Sequence, residues 1–332
     1  MRSIVIGLGE VGRSLASVLA EGKREEVFSH DKVGGTIEAG EQRLALIATE
    51  KPVGVIHICF PYSPEFVDEA CRYIRLTDAP LVIIHSTVPV GTTRRIQERH
   101  HGANVVHSPI HGQHPHLARG IRTFLKYVGG TNEAAVEQAL GYFMRHGIKA
   151  YPVSSPEASE VSKLLCTLQY GWQIVICKEI AAICERYGVP FDEAYAGWNR
   201  EYNRAYQELH PTAPDEFKRS VGVDVRRPIL HPTPGPIGGH CVIPNANLLE
   251  DFWLAATLIE RNRDYAGRSS QTPIPAGHFR CDNCKRLSPL GDDGAAIAEM
   301  KTNFGNLPIE DRAMVCDECY ATMRPNTSGK SQ

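Results

Sequence analysis

Over the first 150 residues, short apolar runs alternate with stretches in which apolar residues return every three or four positions. The short runs are Ser3 to Ile6, Glu26 to Ser29, Val53 to Phe60, Leu81 to His85, Asn104 to His107 and Leu125 to Val128. They are rich in β-branched residues and predict strands. Val11 to Ala20 and Pro64 to Ile74, between them, predict helices. Such alternation implies an α/β domain, a doubly wound parallel sheet with helices on both faces.

The texture changes at Ser154. Ser155 and Pro156 make a good helix start, with serine as N-cap and proline at the first helical position. Val161, Leu164, Leu165, Leu168, Trp172, Val175, Ile176, Ile180 and Ile183 then recur at helical steps. They predict one long helix from Pro156 to about Tyr187, closed by Gly188 and Pro190. More helix is expected from Phe191 to Leu209, a Pro-rich loop from Arg226 to Pro236, and a helical run from Ala246 to Arg261. The predicted organisation is a nucleotide-binding domain over 1–153 and an all-α domain with the long central helix over 154–263. A Gly, Ser and Pro-containing linker over 264–277, a small cysteine module over 278–324 and a disordered tail over 325–332 complete it.

Composition changes this picture little. The formal charge of -2 over 332 residues gives no electrostatic reason to expect a nucleic-acid partner. The amino terminus does not read as a secretory signal and no apolar stretch reaches membrane-spanning length, so a cytoplasmic protein without membrane association is expected. The ten cysteines are more informative. Cys59, Cys71, Cys166, Cys177 and Cys184 fall on apolar strand or helix patterns, where buried free thiols are common. Cys281, Cys284, Cys316 and Cys319 form two C-x-x-C knuckles that fit a four-cysteine zinc site. The redox-dithiol reading is secondary because two matched pairs are present. Zinc would supply much of the folding free energy of so small a zinc-ribbon-like module. Its expected roles are structural, in subunit contact, or in binding a protein partner; nucleic-acid binding is not favoured, because Arg280, Lys285 and Arg286 are balanced by Asp282, Asp292 and Asp293.

Candidate chemistry opens the chain. Gly7-Leu8-Gly9-Glu10-Val11-Gly12 follows the first predicted strand and begins the first helix, the context of a dinucleotide fingerprint in a Rossmann domain. Gly7 would permit the tight turn, Gly9 the approach of a pyrophosphate, and Gly12 close helix–strand packing. Asp31, at the end of the second strand, would accept hydrogen bonds from a ribose diol and repel a 2′-phosphate, which favours NAD over NADP. The neighbouring His30 and Lys32 weaken that exclusion.

Cys241 belongs to neither cysteine group. It ends the Gly/Pro-rich segment Pro234-Gly235-Pro236-Ile237-Gly238-Gly239-His240, with helix beginning shortly after. Glycines allow close approach of a ligand, and a helix N-terminus favours thiolate, so Cys241 reads as a covalent nucleophile. His107, His111, His114 and His116 form a histidine-rich strip that reads as a polar loop over the cleft, with metal binding as the alternative.

Four ordered segments resemble the UDP-glucose/GDP-mannose dehydrogenase family of nucleotide-sugar enzymes. They are the glycine fingerprint, Ser86-Thr87-Val88-Pro89-Val90-Gly91-Thr92-Thr93, Glu160-Val161-Ser162-Lys163-Leu164-Leu165, and Gly235-Pro236-Ile237-Gly238-Gly239-His240-Cys241. The last looks most like the branch acting on N-acetylmannosamine nucleotides. The resemblance implies an NAD-dependent oxidation of a sugar CH–OH, with Cys241 forming a thiohemiacetal and then a thioester. It implies Lys163 as the stabiliser of a developing oxyanion, Thr87 beside substrate and nicotinamide, Ser86 with the cofactor, and a homodimer through the long helix.

The sequence departs from the family at several of these positions. Thr167 stands where the family has asparagine, Asn245 where it has aspartate, and no counterpart of a water-activating glutamate follows Ser108-Pro109. His111 is a candidate replacement as general base or substrate contact. Family members carry a second Rossmann-like domain after the central helices; here the cysteine module follows. Two alternatives therefore stand beside the dehydrogenase reading: a catalytically impaired dinucleotide-binding sensor or scaffold, and a two-electron β-hydroxyacid-type dehydrogenase.

Overall fold

The computed structural model describes residues 2–21, 25–31, 44, 48–112, 116–209, 227–239, 241–271, 278–280 and 287–289. Two compact units divide it, Met1–Cys166 and Thr167–Gln332.

The first unit is built on seven strands: β1 Arg2–Ile6, β2 Glu26–His30, β3 Val55–Ile58, β4 Leu81–Ile84, β5 Asn104–His107, β6 Lys126–Gly130 and β7 Ala150–Pro152. Its helices are α1 Glu10–Glu21, α2 Phe66–Thr77, α3 Thr92–Arg99, α4 Leu117–Thr123, α5 Glu133–Arg145 and the start of α6, Pro156–Tyr187. The strand order is β2-β1-β3-β4-β5-β6-β7. Successive side chains of a strand face opposite ways, and the apolar residues sort accordingly. Ile4, Ile6, Ile56, Ile58, Val82 and Ile84 pack with Phe66, Ala70 and Ile74 of α2 and with Ile96 of α3. Val5, Val55, Leu81, Ile83 and Val106 pack with Leu15 and Leu19 of α1 and with Tyr142 and Phe143 of α5. Each fully buried large aliphatic or aromatic side chain stabilises by roughly 1.5–3 kcal/mol. Asn132 caps α5, its side-chain oxygen accepting from the Ala135 amide at 2.8 Å.

The expected parallel sheet is observed except at one pair of strands. β5 and β6 pair antiparallel, with Val106 opposite Gly130 and His107 opposite Gly129, while the other pairs are parallel. Among the described residues the seven-residue α4 is the only helix between them; at 1.5 Å rise it spans about 10 Å. The chain therefore enters β6 from the edge at which β5 ended. β7 was not among the predicted strands.

In the second unit α6 continues to Tyr187 and ends as predicted at Gly188, whose φ of +65° is the left-handed conformation glycine favours. A π-helical turn, Asp192–Ala196, leads into α7, Gly197–Leu209. The helix expected after Cys241 begins at once and is interrupted: α8 is Val242–Asn247 and α9 is Trp253–Gln271. α9 thus covers the first eight residues of the segment read as a linker, because Tyr265 is buried and its hydroxyl donates to Glu179 at 2.7 Å. Leu168 and Val175 of α6 pack with Ile237, Val242, Ala246, Ala255 and Leu258. They approach closely at Gly171, where an added Cβ would lie 2.6 Å from Val242. β8, His278–Arg280, and β9, Leu287–Pro289, pair antiparallel. Cys281, Cys284, Cys316 and Cys319, and with them the zinc expectation and the 325–332 tail, lie outside the described residues. No helix among the described residues is long and apolar enough to cross a membrane.

Candidate active site

The strand order reverses direction about β1: β2 lies on one side and β3 on the other. In open α/β sheets ligands bind beyond the carboxyl ends of strands at such a switch point. The glycine fingerprint sits there. Gly7 follows β1 with φ +92°, and a Cβ on it would lie 2.5 Å from the Phe60 amide nitrogen just past β3. A Cβ on Gly12 would meet the Gly7 carbonyl oxygen at 1.8 Å, so α1 packs on the turn only because Gly12 lacks one. Gly9 has no heavy atom within 4 Å of its would-be Cβ. Gly9 is exposed, and that open space lets a pyrophosphate approach the backbone of the turn. Leu8 donates its amide to the Asp31 carboxylate at 2.6 Å, and the Gly7 amide donates to the His30 carbonyl at 2.8 Å. The end of β2 and the turn are thereby locked together, with Glu10 and Val11 opening α1. These residues fit a dinucleotide.

Ser86 joins the same edge. It is buried and its hydroxyl donates to the Phe60 carbonyl at 2.6 Å. Thr87, half-buried, follows it. Beyond them Gly91 and Thr93 are held by a residue whose role the sequence did not reveal. Glu160 of α6 is fully buried and accepts from the Gly91 amide at 2.6 Å, the Thr93 amide at 2.8 Å and the Thr93 hydroxyl at 2.7 Å. Burial raises its pKa against the pull of these donors. Its neighbour Ser159 pairs with the buried His107 ring at 2.9 Å, and the other ring nitrogen of His107 meets the Ser86 carbonyl at 3.1 Å.

One turn beyond Ser159 on α6, Lys163 is half-buried and donates to the Ile110 carbonyl at 2.8 Å. His111 lies half-buried beside that carbonyl, its ring edge-on to Tyr127. Burial first, then the charges of Lys163 and Lys126, pushes His111 down to about 4. At neutral pH it is an uncharged imidazole and a weak base. The histidine strip is not one loop: His107 belongs to the core, His116 is the exposed N-cap of α4, and His114 lies outside the described residues. No cluster of metal-ligating side chains occurs among the described residues.

Sequence reasoning also missed Lys126. It is 2 % exposed, and its ammonium donates to the carbonyls of Ser108 at 2.7 Å and Pro109 at 3.1 Å. Burial drives it down to about 7. A charged residue inside a strand pattern ordinarily marks a solvent face, so no local signal singled it out.

In the second unit, Cys241 is half-buried and is the N-cap of α8. With six residues α8 offers a weaker dipole than the uninterrupted helical run expected there. Lys178 of α6 donates to the Thr233 and Gly235 carbonyls, and Asn262 of α9 accepts from the Ile237 amide at 2.6 Å. Gly239, with φ +81°, has open space around it; His240 lies outside the described residues. Asn245, one turn after Cys241, donates to the Thr167 hydroxyl at 3.2 Å. Two positions where the chain departs from the family pattern are therefore in contact. Among the other thiols, Cys59, Cys71, Cys177 and Cys184 are buried as expected, whereas Cys166 is exposed. Cys59 is pushed up to about 12 by burial.

The sheet, its switch point and the glycine turn make a fold of the Rossmann type, with a turn that fits a dinucleotide. The Mycobacterium tuberculosis 3-hydroxyisobutyrate dehydrogenase structure shares this fold at 15% identity, over 81% of this chain and 94% of its own, with a TM-score of 0.53. No protein-family model matches the chain. UDP-N-acetyl-D-mannosamine dehydrogenases from two strains of Methanococcus maripaludis, S2 and C7, are 24% and 25% identical to it over 275 residues. The match takes in 72% of this chain and spans only 58% of the length of each relative. The Pyrococcus horikoshii UDP-D-ManNAc dehydrogenase structure has a TM-score of 0.61 at 21% identity, covering 81% of this chain and 70% of that one. The chain is thus similar over most of its length to nucleotide-sugar dehydrogenases.

Proposed function

We propose that this protein is an NAD-dependent dehydrogenase that oxidises a sugar CH–OH, with a nucleotide sugar as the substrate class. The observation that carries the reading is the fingerprint turn: Gly7 and Gly12 admit no side chain, Gly9 stands open, and Asp31 is fixed beside them. NAD, when bound, supplies the hydride acceptor. Gly9 and the opening of α1 would hold its pyrophosphate, Asp31 its ribose diol, and Ser86 and Thr87 would border the nicotinamide end. Lys163 would stabilise negative charge developing on the substrate oxygen. The Cys241 thiolate would add to the carbonyl carbon of the aldehyde, giving a thiohemiacetal whose further oxidation yields a thioester; water would release the carboxylate. Asn245 and Thr167, hydrogen-bonded to each other, would shape the floor of the cysteine loop.

A second reading is motivated by Thr167, Asn245 and the absence of a glutamate counterpart after Ser108-Pro109. Hydrolysis of the thioester would then be slow, or the chain would serve as a dinucleotide sensor. The two-electron β-hydroxyacid reading needs no thiol at all. In the same proposal the four cysteines of the carboxyl-terminal module hold zinc. The exposed Leu165, Tyr170, Ile176, Ile183 and Tyr187 of α6 support a homodimer seam on that helix.

The test is NADH formation across a panel of UDP-sugars, including UDP-N-acetylmannosamine, with acid-quenched intact mass spectrometry. The four-electron reading expects a substrate adduct on Cys241 and loss of carboxylate product in Cys241→Ser. Undiminished carboxylate formation by Cys241→Ser would sink it. NAD binding without turnover on any sugar favours the sensor.

A further inference from the structure

The sheet of the first unit contains a polar chain the proposed chemistry leaves unused. From the Lys126 ammonium it runs to His85 Nδ1 at 3.3 Å, from His85 Nε2 to His57 Nδ1 at 3.0 Å, and from His57 Nε2 to the Tyr142 hydroxyl at 3.0 Å. Tyr142 donates to Glu25 at 2.6 Å, and Glu25 also accepts from Ser3 at 2.7 Å and lies 3.0 Å from His146. His57, His85 and Lys126 are each no more than 2 % exposed. Buried polar groups this far from water are retained only when each is satisfied.

The Glu25 end sets the direction of the whole chain. Three donors face Glu25 and hold it down to about 2, so it is anionic, even though burial opposes them. A phenol 2.6 Å from an anionic oxygen must spend its one proton there. His57 Nε2 must then donate to the Tyr142 oxygen, so neutral His57 accepts at Nδ1 from His85 Nε2. Neutral His85 is left with a bare Nδ1, which faces the Ser108 carbonyl oxygen at 2.9 Å. Two lone pairs at that distance repel unless an N–H donor serves both; Lys126 does so, and with the Pro109 carbonyl as its third acceptor it uses all three protons of an ammonium.

We propose that Lys126 is a positioning residue: its cation, required by the Glu25–Tyr142–His57–His85 chain, fixes the Ser108 and Pro109 carbonyls and so aims the Ile110 carbonyl that holds Lys163. Three successive carbonyls after β5 are thus set by two lysines, one buried and one at the candidate site. This rests on the reading of Lys163 as a site residue. The titratable groups facing Lys126 are Cys59, His57, His85, His107, His111 and Lys163, and the Phe143 ring lies 5.3 Å from its nitrogen.

The test is competitive trace acetylation of the full chain between about pH 6 and about pH 10, with Lys163 labelling read by mass spectrometry. In Lys126→Met, released from Ile110, Lys163 should label about tenfold faster, the scale of one lost charge-assisted hydrogen bond. Lys126→Arg should restore slow labelling and remove an inflection near neutrality that the wild type shows as Lys126 titrates. If the Met variant does not fold, Tyr142→Phe, which leaves Lys126 in place, should move that inflection to lower pH. Unchanged labelling in Lys126→Met, identical behaviour of the Met and Arg variants, or an unmoved inflection in Tyr142→Phe would overturn the proposal. Labelling needs no turnover, so an inactive wild type would defeat the dehydrogenase reading and not this one.

Discussion

Replacing Glu160 tests how the S-T-V-P-V-G-T-T turn is held. In Glu160→Gln the carbonyl oxygen can still accept from the Thr93 amide and hydroxyl, but the amide nitrogen then faces the Gly91 N–H, donor against donor. One buried N–H loses its partner, at a cost of about 1–3 kcal/mol. Glu160→Ala strips both amides, for about 2–6 kcal/mol, and leaves a cavity besides. Thr93→Val removes only the hydroxyl bond and should cost about 1 kcal/mol. All three tryptophans, Trp172, Trp198 and Trp253, lie in the second unit, so indole fluorescence would miss the effect. Amide hydrogen exchange on peptides covering residues 86–99 reads it locally, and a 2 kcal/mol loss there speeds exchange about thirtyfold. Exchange in Glu160→Gln within about twofold of wild type, or an alanine variant no worse than the glutamine one, would refute the assigned role.

Three other outcomes follow from the same geometry. Gly9→Ala should unfold within about 0.5 kcal/mol of wild type yet bind NAD at least about tenfold more weakly by calorimetry, because its Cβ enters open space a ligand needs. Gly12→Ala should instead cost about 3 kcal/mol or more in thermal unfolding followed by circular dichroism, since its Cβ meets a backbone oxygen that cannot yield. Acid should destabilise the first unit early: burial holds His57 and His107 down to about 3 and His85 well below the usual histidine range. The unfolded chain therefore binds more protons below about pH 6.5, and stability falls as pH drops through that value, by about 1.4 kcal/mol per pH unit for each histidine kept neutral. An equal melting temperature at about pH 7.5 and about pH 5.5 would contradict this.

What the sequence made legible was local. Gly7 to Gly12 announced itself because a turn, an approach and a helix contact each demand glycine within six residues. The strands of the first unit stood out as β-branched runs, but their direction is not encoded in a period of two, so the reversal at β6 was invisible. Ala150–Pro152 is too short and too exposed to leave an apolar signature. Asp264, Gly267 and the serines beyond look like loop, yet burial of Tyr265 carries α9 through them, a tertiary contact overriding weak propensity. His57, His85 and Lys126 were unreadable for a related reason: their polar atoms are satisfied by partners tens of residues away.

α6 passes through the point where the two compact units divide, and this governs how the protein can be cut. A truncation placed in the loop before Pro156, where a boundary would naturally be drawn, removes Ser159 and Glu160 from the fold they complete. A fragment that keeps the whole first unit extends at least to Cys166 and carries about three turns of α6 with it.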